Sequence, residues 1–349
     1  MKRIGNLKQK WCNYEALLQA FNEVKTHKST HENFLRYEGN LVVNLENILK
    51  QLETETYQVK ETRAFYVYDP KLRLIEAPHL EDRIVQHAVL NSFRKEMESR
   101  FIHQTFGCIK NRGTHRASDL LKKYLITYKD DGYYLKIDIR KFFYSINHEI
   151  LKKQINGIIK CKPTLDLLYK LFDNEAKIGL PLGSVTSQVL ANLNLSSLDH
   201  YAKRELGVRH YIRYMDDIII LHKDKNILRK WLAKLRIFIS TLSLKFNDKT
   251  KIGKVENGID FVGYKTWYNR RVIRKRSLYK IKRTLKKDAN EPRIASYLAH
   301  AKRTNSINYV VQKTLESAPS HEDFVNRWIF KNKIKERLYD EILSINASD

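Results

Sequence analysis

The chain has 349 residues, with 65 Lys+Arg against 39 Asp+Glu and a formal net charge of +26. That length can bury the core of two or three subdomains, and a cationic excess of that size points to a polyanion, nucleic acid before an anionic membrane. No apolar run approaches the ~18 residues of a membrane span, and Cys12, Cys108 and Cys161 lie far apart with no Cys-x-x-Cys, which argues against a zinc knuckle or a disulfide framework and fits a reducing cytoplasm.

The basic segment Met1 to Lys10 has no apolar core behind it and does not read as a signal peptide. Residues 1–60 read as an N-terminal helical extension. Leu17, Leu18, Phe21 and Val24, and then Leu41, Val42, Leu45, Ile48 and Leu49, recur at helical spacing. Phe65-Tyr66-Val67-Tyr68, a turn at Asp69-Pro70, and Leu72-Arg73-Leu74-Ile75 read as a hairpin. Arg73 is either a solvated strand position or a guanidinium poised for phosphate oxygens. Pro78 opens a helix carrying Leu80, Ile84, Val85, Ala88 and Val89 on one face. Asn111 to Arg116 is a basic loop whose Arg112 and Arg116 could meet a nucleic-acid backbone; it lacks the spacing of a P-loop.

Tyr133 to Ile139 alternates as a strand, with Asp138 near its end. A carboxylate there is costly unless paired, protonated or bound to a cation. Phe142-Phe143 follow at a strand-to-helix turn. Gly179 to Ser184 is turn-rich, and a helix is expected to start at Ser187-Gln188 and run past Leu198 to Tyr201. Tyr211-Ile212-Arg213 and Ile218-Ile219-Ile220-Leu221 read as two strands joined at Tyr214-Met215-Asp216-Asp217. Adjacent acids at a turn are either a solvated loop or ligands for a hard cation such as Mg²⁺. With Asp138 on a neighbouring strand they could hold two ions about 4 Å apart, an arrangement that serves in-line phosphoryl displacement. Ile227 to Leu242 is an amphipathic helix, and Ile259 to Tyr264 is hairpin-like. Between Arg270 and Lys287 lie ten Lys/Arg and no acid, punctuated by Ile273, Leu278, Ile281 and Leu285. That run reads as a helix tracking nucleic acid, with Arg274, Lys275, Arg276, Lys282 and Arg283 on it. The tail to Asp349 is helical and mostly polar.

The succession of strand-borne Asp138, Gly183-x-x-x-Ser187-Gln188, Tyr214-Met215-Asp216-Asp217, Lys249-Thr250 and Phe261-Val262-Gly263-Tyr264 resembles the ordered motifs of reverse transcriptases, from about Leu72 through Tyr264. Most members carry Gln-Gly-x-x-x-Ser-Pro in the fourth motif. Here it reads Leu182-Gly183-Ser184-Val185-Thr186-Ser187-Gln188, a variant similar to the enzymes of diversity-generating retroelements, as are Leu198-Asp199-His200 and Val208 to Tyr214. The resemblance implies an α+β right-hand polymerase: an extension over 1–60, fingers and palm over 61–268, and a basic helical thumb over 269–349. It implies an RNA-directed DNA polymerase that copies a template-repeat RNA into cDNA, errs opposite adenine and serves mutagenic retrohoming, in the cytoplasm. It implies two Mg²⁺ ions on Asp138, Asp216 and Asp217 with the backbone of Ile139. Arg73, Phe143, Leu182, Gly183 and Lys249 would face the dNTP, with Phe143 excluding a ribose 2′-hydroxyl, and Phe261, Val262, Gly263 and Tyr264 would form the primer grip. Template RNA, a cDNA primer, dNTPs and a small basic pentameric accessory protein are the implied partners, with no membrane.

Other readings stay open beside it. A group II intron protein would usually continue into a maturase domain, and this chain is expected to end soon after its thumb, with no RNase H domain. A retron enzyme would show Val-Thr-Gly where Phe261-Val262-Gly263 stands. A phage-defence polymerase would add nucleotides without a template. A non-catalytic RNA-binding protein would have no use for three converging carboxylates.

Overall fold

The computed structural model describes residues 2–26, 32–68, 72–129 and 131–332. The turn expected at Asp69-Pro70 and the last part of the expected thumb, 333–349, lie outside the described residues. Two compact units form: Met1–Gly113 with Leu135–Ile220 and Asn226–Lys251, and Thr114–Tyr134 with Leu221–Lys225 and Ile252–Asp349. The described strands are β1 (Arg63–Val67), β2 (Arg73–Ala77), β3 (Thr105–Phe106), β4 (Tyr133–Asp138), β5 (His210–Tyr214), β6 (Asp217–His222), β7 (Lys251–Lys254), β8 (Ile259–Phe261), β9 (Tyr264–Thr266) and β10 (Arg271–Ile273).

A five-stranded sheet runs in the order β3-β5-β6-β4-β7. β5, β6 and β4 are its inner strands, and the β-branched and aromatic residues Tyr211, Ile212, Ile218, Ile219 and Ile220 of β5 and β6 are buried. Short β3 lies parallel to β5, pairing Thr105 with Arg213 and Phe106 with Tyr214. In the same unit, helix Val185–His200 is buried almost all round, polar Asn192, Asn194 and Asp199 included. Its start differs by two residues from the expected one: Ser184 is the N-cap, and its hydroxyl takes the Ser187 N–H. At Tyr201, the last residue of the expected helix, the chain passes into a π-helix over Tyr201–Glu205.

Helix Tyr14–Lys25 buries Leu17, Ala20, Phe21 and Val24, one face at helical spacing, against helices Leu41–Glu53 and Leu80–Asn91. Leu17, Phe21 and Val24 each contribute about 1.5–3 kcal/mol of burial. Helix Leu80–Asn91 opens two residues after Pro78, with His79 as its N-cap. β1 and β2 form the expected antiparallel hairpin in the register Tyr66 to Leu74.

In the second unit a three-stranded sheet, β10-β9-β8, carries the C-terminal helices. Its core gathers Tyr264, Ile273, Ile281, Leu285, Ile294, Leu298, Val310 and Val325. The cationic run expected to be one helix is divided: Arg271–Ile273 pairs with β9, and the helix is Lys275–Lys287. Ile273 belongs to the core through a strand, and Arg271 is itself buried against Asp119. No described helix is long and apolar enough to cross a membrane.

Candidate active site

Tyr214 closes β5 and Asp217 opens β6, so Met215 and Asp216 form the turn between them. Met215 has φ 53, the left-handed region that costs a non-glycine residue about 1 kcal/mol or more. Its N–H donates to the Phe106 carbonyl at 3.2 Å. Beside it Gly107 has φ +88, and a Cβ there would stand 3.0 Å from Met215 Cγ and 3.3 Å from Tyr214 Cε1. Only glycine lets this backbone pass so close to the turn.

Asp138 ends β4, the strand next to β6. Its carbonyl accepts the Asn247 N–H at 2.7 Å, and Ile139 bridges to Phe246, so the strand end is fixed. Asp216 and Asp217 both lie within electrostatic reach of Asp138. Burial first, then the negative charge of Asp138, raises the Asp216 carboxyl, with Arg73 and Arg213 opposing. Burial also pushes Asp217 up to about 6, against the pull of Lys136, with Asp216 and Asp138 adding to the rise. Lys136 Nζ stands 3.4 Å from Asp217 Oδ2. The other oxygen, Oδ1, is buried with no hydrogen-bond partner. A buried acceptor without a donor is costly, and an acid pushed toward neutrality by burial and by neighbouring acids is relieved by a cation. The donor set therefore fits a hard divalent ion. Among the described residues no three His, Cys, Asp or Glu side chains make a ready metal site alone, and Mg²⁺ commonly completes its shell with water and substrate phosphates.

The other expected residues of this unit sit on backbone ties. Arg73 is exposed on β2, within electrostatic reach of Asp216. The Leu182 carbonyl accepts the Glu76 N–H at 2.8 Å, joining its loop to β2. Gly183, with φ +116, would bring a Cβ to 3.0 Å from the Glu76 carbonyl. Half-buried Phe143 packs edge-on against buried Phe142, and its carbonyl accepts the Leu180 N–H at 2.7 Å. Lys249 is exposed, and its N–H donates to Asn247 Oδ1 at 3.1 Å. Arg112 donates to the Ile102 carbonyl at 3.0 Å.

The remaining expected residues belong to the second unit. Val262 and Gly263 form a two-residue turn with φ 44 and +94 between buried Phe261 and Tyr264. The Tyr264 ring stacks on His300 at 4.9 Å, and its hydroxyl meets His300 Nδ1 at 3.2 Å and His115 Nδ1 at 3.4 Å. Arg116, Lys275, Arg276 and Arg283 are exposed, Lys282 is half-buried, and Arg274 pairs with Asp260. Lys136 and Asn247 had no role in the sequence reading. Lys136 could have been found, because it lies two residues before Asp138 and so on the same strand face.

The family model for reverse transcriptase (RNA-dependent DNA polymerase) matches residues 60–266. This chain belongs to that family. The fold and enzyme class expected from the motifs, an α+β reverse transcriptase, are borne out. Enzymes of this family bind template RNA and use divalent metal ions. Protein YkfC of Escherichia coli is 27% identical over 289 residues, 69% of this chain and 74% of that protein. The group II intron-encoded protein LtrA of Lactococcus lactis is 25% identical over 169 residues, covering 45% of this chain and 28% of that protein. A solved structure of telomerase from Candida tropicalis with a fragment of telomeric RNA is 14% identical at a TM-score of 0.49, covering 77% of this chain and 55% of that one.

Proposed function

We propose that this chain extends a cDNA primer on an RNA template at the Asp138, Asp216 and Asp217 carboxylates. The observation that carries the reading is the buried, unpartnered Asp217 Oδ1 beside two further acids. Two Mg²⁺ ions would be held by these side chains and the Ile139 backbone; bound there, they would activate the attacking hydroxyl and neutralise charge on the leaving group. The primer 3′-hydroxyl gives up its proton to solvent as its oxygen bonds to the α-phosphorus of a dNTP, the α–β bridging bond breaks, and pyrophosphate leaves with that electron pair. Arg73 and Lys249 bind the triphosphate by charge-assisted hydrogen bonds. Phe143 occupies the space a 2′-hydroxyl would need. The turn Phe261 to Tyr264 holds the primer, and Arg112, Arg116, Arg274, Lys275, Arg276, Lys282 and Arg283 bind the nucleic-acid backbone. In this reading 1–60 is an extension, 61–268 fingers and palm, and 269–349 a thumb, acting in the cytoplasm.

The finer proposal is that the template is a template-repeat RNA, copied with errors opposite adenine for mutagenic retrohoming, beside a small basic pentameric accessory protein. It rests on Leu182, which cannot make the sugar-side hydrogen bond of a glutamine, and on Gln188 in place of proline. A second reading, a group II intron-type enzyme, is favoured by the likeness to LtrA. Single-nucleotide incorporation with each base in turn at the templating position separates them. Errors concentrated opposite adenine support the retroelement reading, and uniform fidelity supports the intron-type one. No extension on any primed RNA template, with or without the accessory protein, would refute the polymerase reading itself.

A further inference from the structure

Behind the Asp216-Asp217 turn lies a polar cluster with no role so far. Arg213 and Asp199 are both fully buried. Arg213 Nε donates to Asp199 Oδ1 and Nη2 to Oδ2, each at 2.7 Å, a two-pronged pair. The same carboxylate accepts from the Tyr211 hydroxyl at 2.6 Å and the Thr105 hydroxyl at 2.8 Å. That leaves Nη1, which donates to Asn192 Oδ1 and to the Met215 carbonyl, both at 3.0 Å. Asn192 Nδ2 donates in turn to the Gly107 carbonyl at 2.9 Å. Met215 is thus held at both ends, by Phe106 through its N–H and by Arg213 through its carbonyl.

A buried ion pair is weak evidence of stabilisation, because well-packed apolar residues often serve as well. What an apolar pair cannot do is reach the Met215 carbonyl. Met215 holds a left-handed φ that a side chain rarely adopts, one residue before Asp216. Rotation of that peptide would turn both acids away from Asp138.

We propose that Arg213, itself held by Asp199 and Asn192, is the positioning residue of the catalytic turn. It fixes the Met215 carbonyl and so the direction in which Asp216 and Asp217 present their carboxylates. This rests on the reading that those acids hold the metal.

The test is primer extension on an RNA template across Mg²⁺ concentrations, with primer–template binding and thermal melting measured beside it. The full chain is compared with Arg213→Lys, Asn192→Ala and Asp216→Asn. Arg213→Lys keeps a charge opposite Asp199, but one ammonium cannot span Asp199, Asn192 and Met215 together. Its half-saturating Mg²⁺ concentration is expected to rise about 10-fold or more, the usual effect of losing a partner that orients a metal ligand, with primer–template affinity unchanged. Asn192→Ala leaves the ion pair intact and shifts the Mg²⁺ requirement the same way by less. A wild-type Mg²⁺ requirement in folded Arg213→Lys overturns the proposal; if that chain does not fold, the same result in Asn192→Ala does so. If that happens while Asp216→Asn is inactive, only the positioning role fails. If Asp216→Asn extends normally, the carboxylate reading fails and the positioning role with it.

Discussion

Behind the Asp216-Asp217 turn, in the Arg213–Asp199 cluster, charge is buried and matched group by group; on helix Lys275–Lys287 it is exposed and of one sign. Arg213 is enclosed with every nitrogen donating to a named oxygen. Helix Lys275–Lys287 anchors itself by Ile281 and Leu285 and turns Lys275, Arg276 and Arg283 to solvent. Directed chemistry needs carboxylates at fixed angles, so the turn that carries them is backed by fully satisfied buried partners while Asp217 Oδ1 is left for a ligand. Gripping a polyanion needs charge density along a surface, and the exact pose of each ammonium matters little. Substitutions in the first region should have large effects insensitive to salt. Those in the second should be small, additive and salt-dependent.

Asp217→Asn should break the contrast most sharply. Extension is expected to fall about a thousandfold, the scale of losing one charged stabiliser of a transition state, while the metal-free fold gains stability at neutral pH. The sign follows from the raised acid. With a folded-state value of about 6 and an unfolded value near 4, stability is fully present below pH ~4 and is lost as pH rises through about 6. Melting in chelator from pH 4 to 7 should show a fall of roughly 2–3 kcal/mol in the wild type and a flatter profile in Asp217→Asn.

Arg271 belongs to the cationic run yet is buried against Asp119. Arg271→Ala should destabilise the fold by about 2 kcal/mol, as for a lost charged hydrogen bond. It should leave the salt dependence of RNA binding unchanged. The pair Lys275→Ala with Arg283→Ala should do the reverse: melting within ~0.5 kcal/mol of wild type, and a log–log salt slope shallower by about 1.5 to 2. Leu182→Gln is expected to reduce misincorporation opposite adenine by no more than about tenfold, the worth of one hydrogen bond. The backbone bond from Leu182 to Glu76 survives that change, so stability should not move.

Local patterns made the first region's frame legible. β-branched runs announced β5 and β6, alternation announced β4, and the adjacent acids marked the turn. The buried cluster was not legible. Asp199 lies on a helix and Arg213 on a strand, and Arg213 reads only as part of that strand; a charge in an otherwise apolar strand next to the acids was the available signal. The division of the cationic run at Arg274 escaped for a similar reason. Composition reports charge density but not that Arg271–Ile273 would pair with Thr266–Tyr264, because that hairpin is set by backbone pairing across residues 267–270 and not by charge.

The central claim is that the Asp138, Asp216 and Asp217 carboxylates run a metal-dependent polymerase reaction. Its most direct test is the rate of one dNTP addition to a DNA primer on an RNA template, with Mg²⁺ and with chelator, for wild type and Asp216→Asn at equal primer–template occupancy. Addition is expected from the wild type only with Mg²⁺, and none from Asp216→Asn although it binds the duplex equally. Addition by Asp216→Asn at the wild-type rate, or by the wild type in chelator, would contradict that claim.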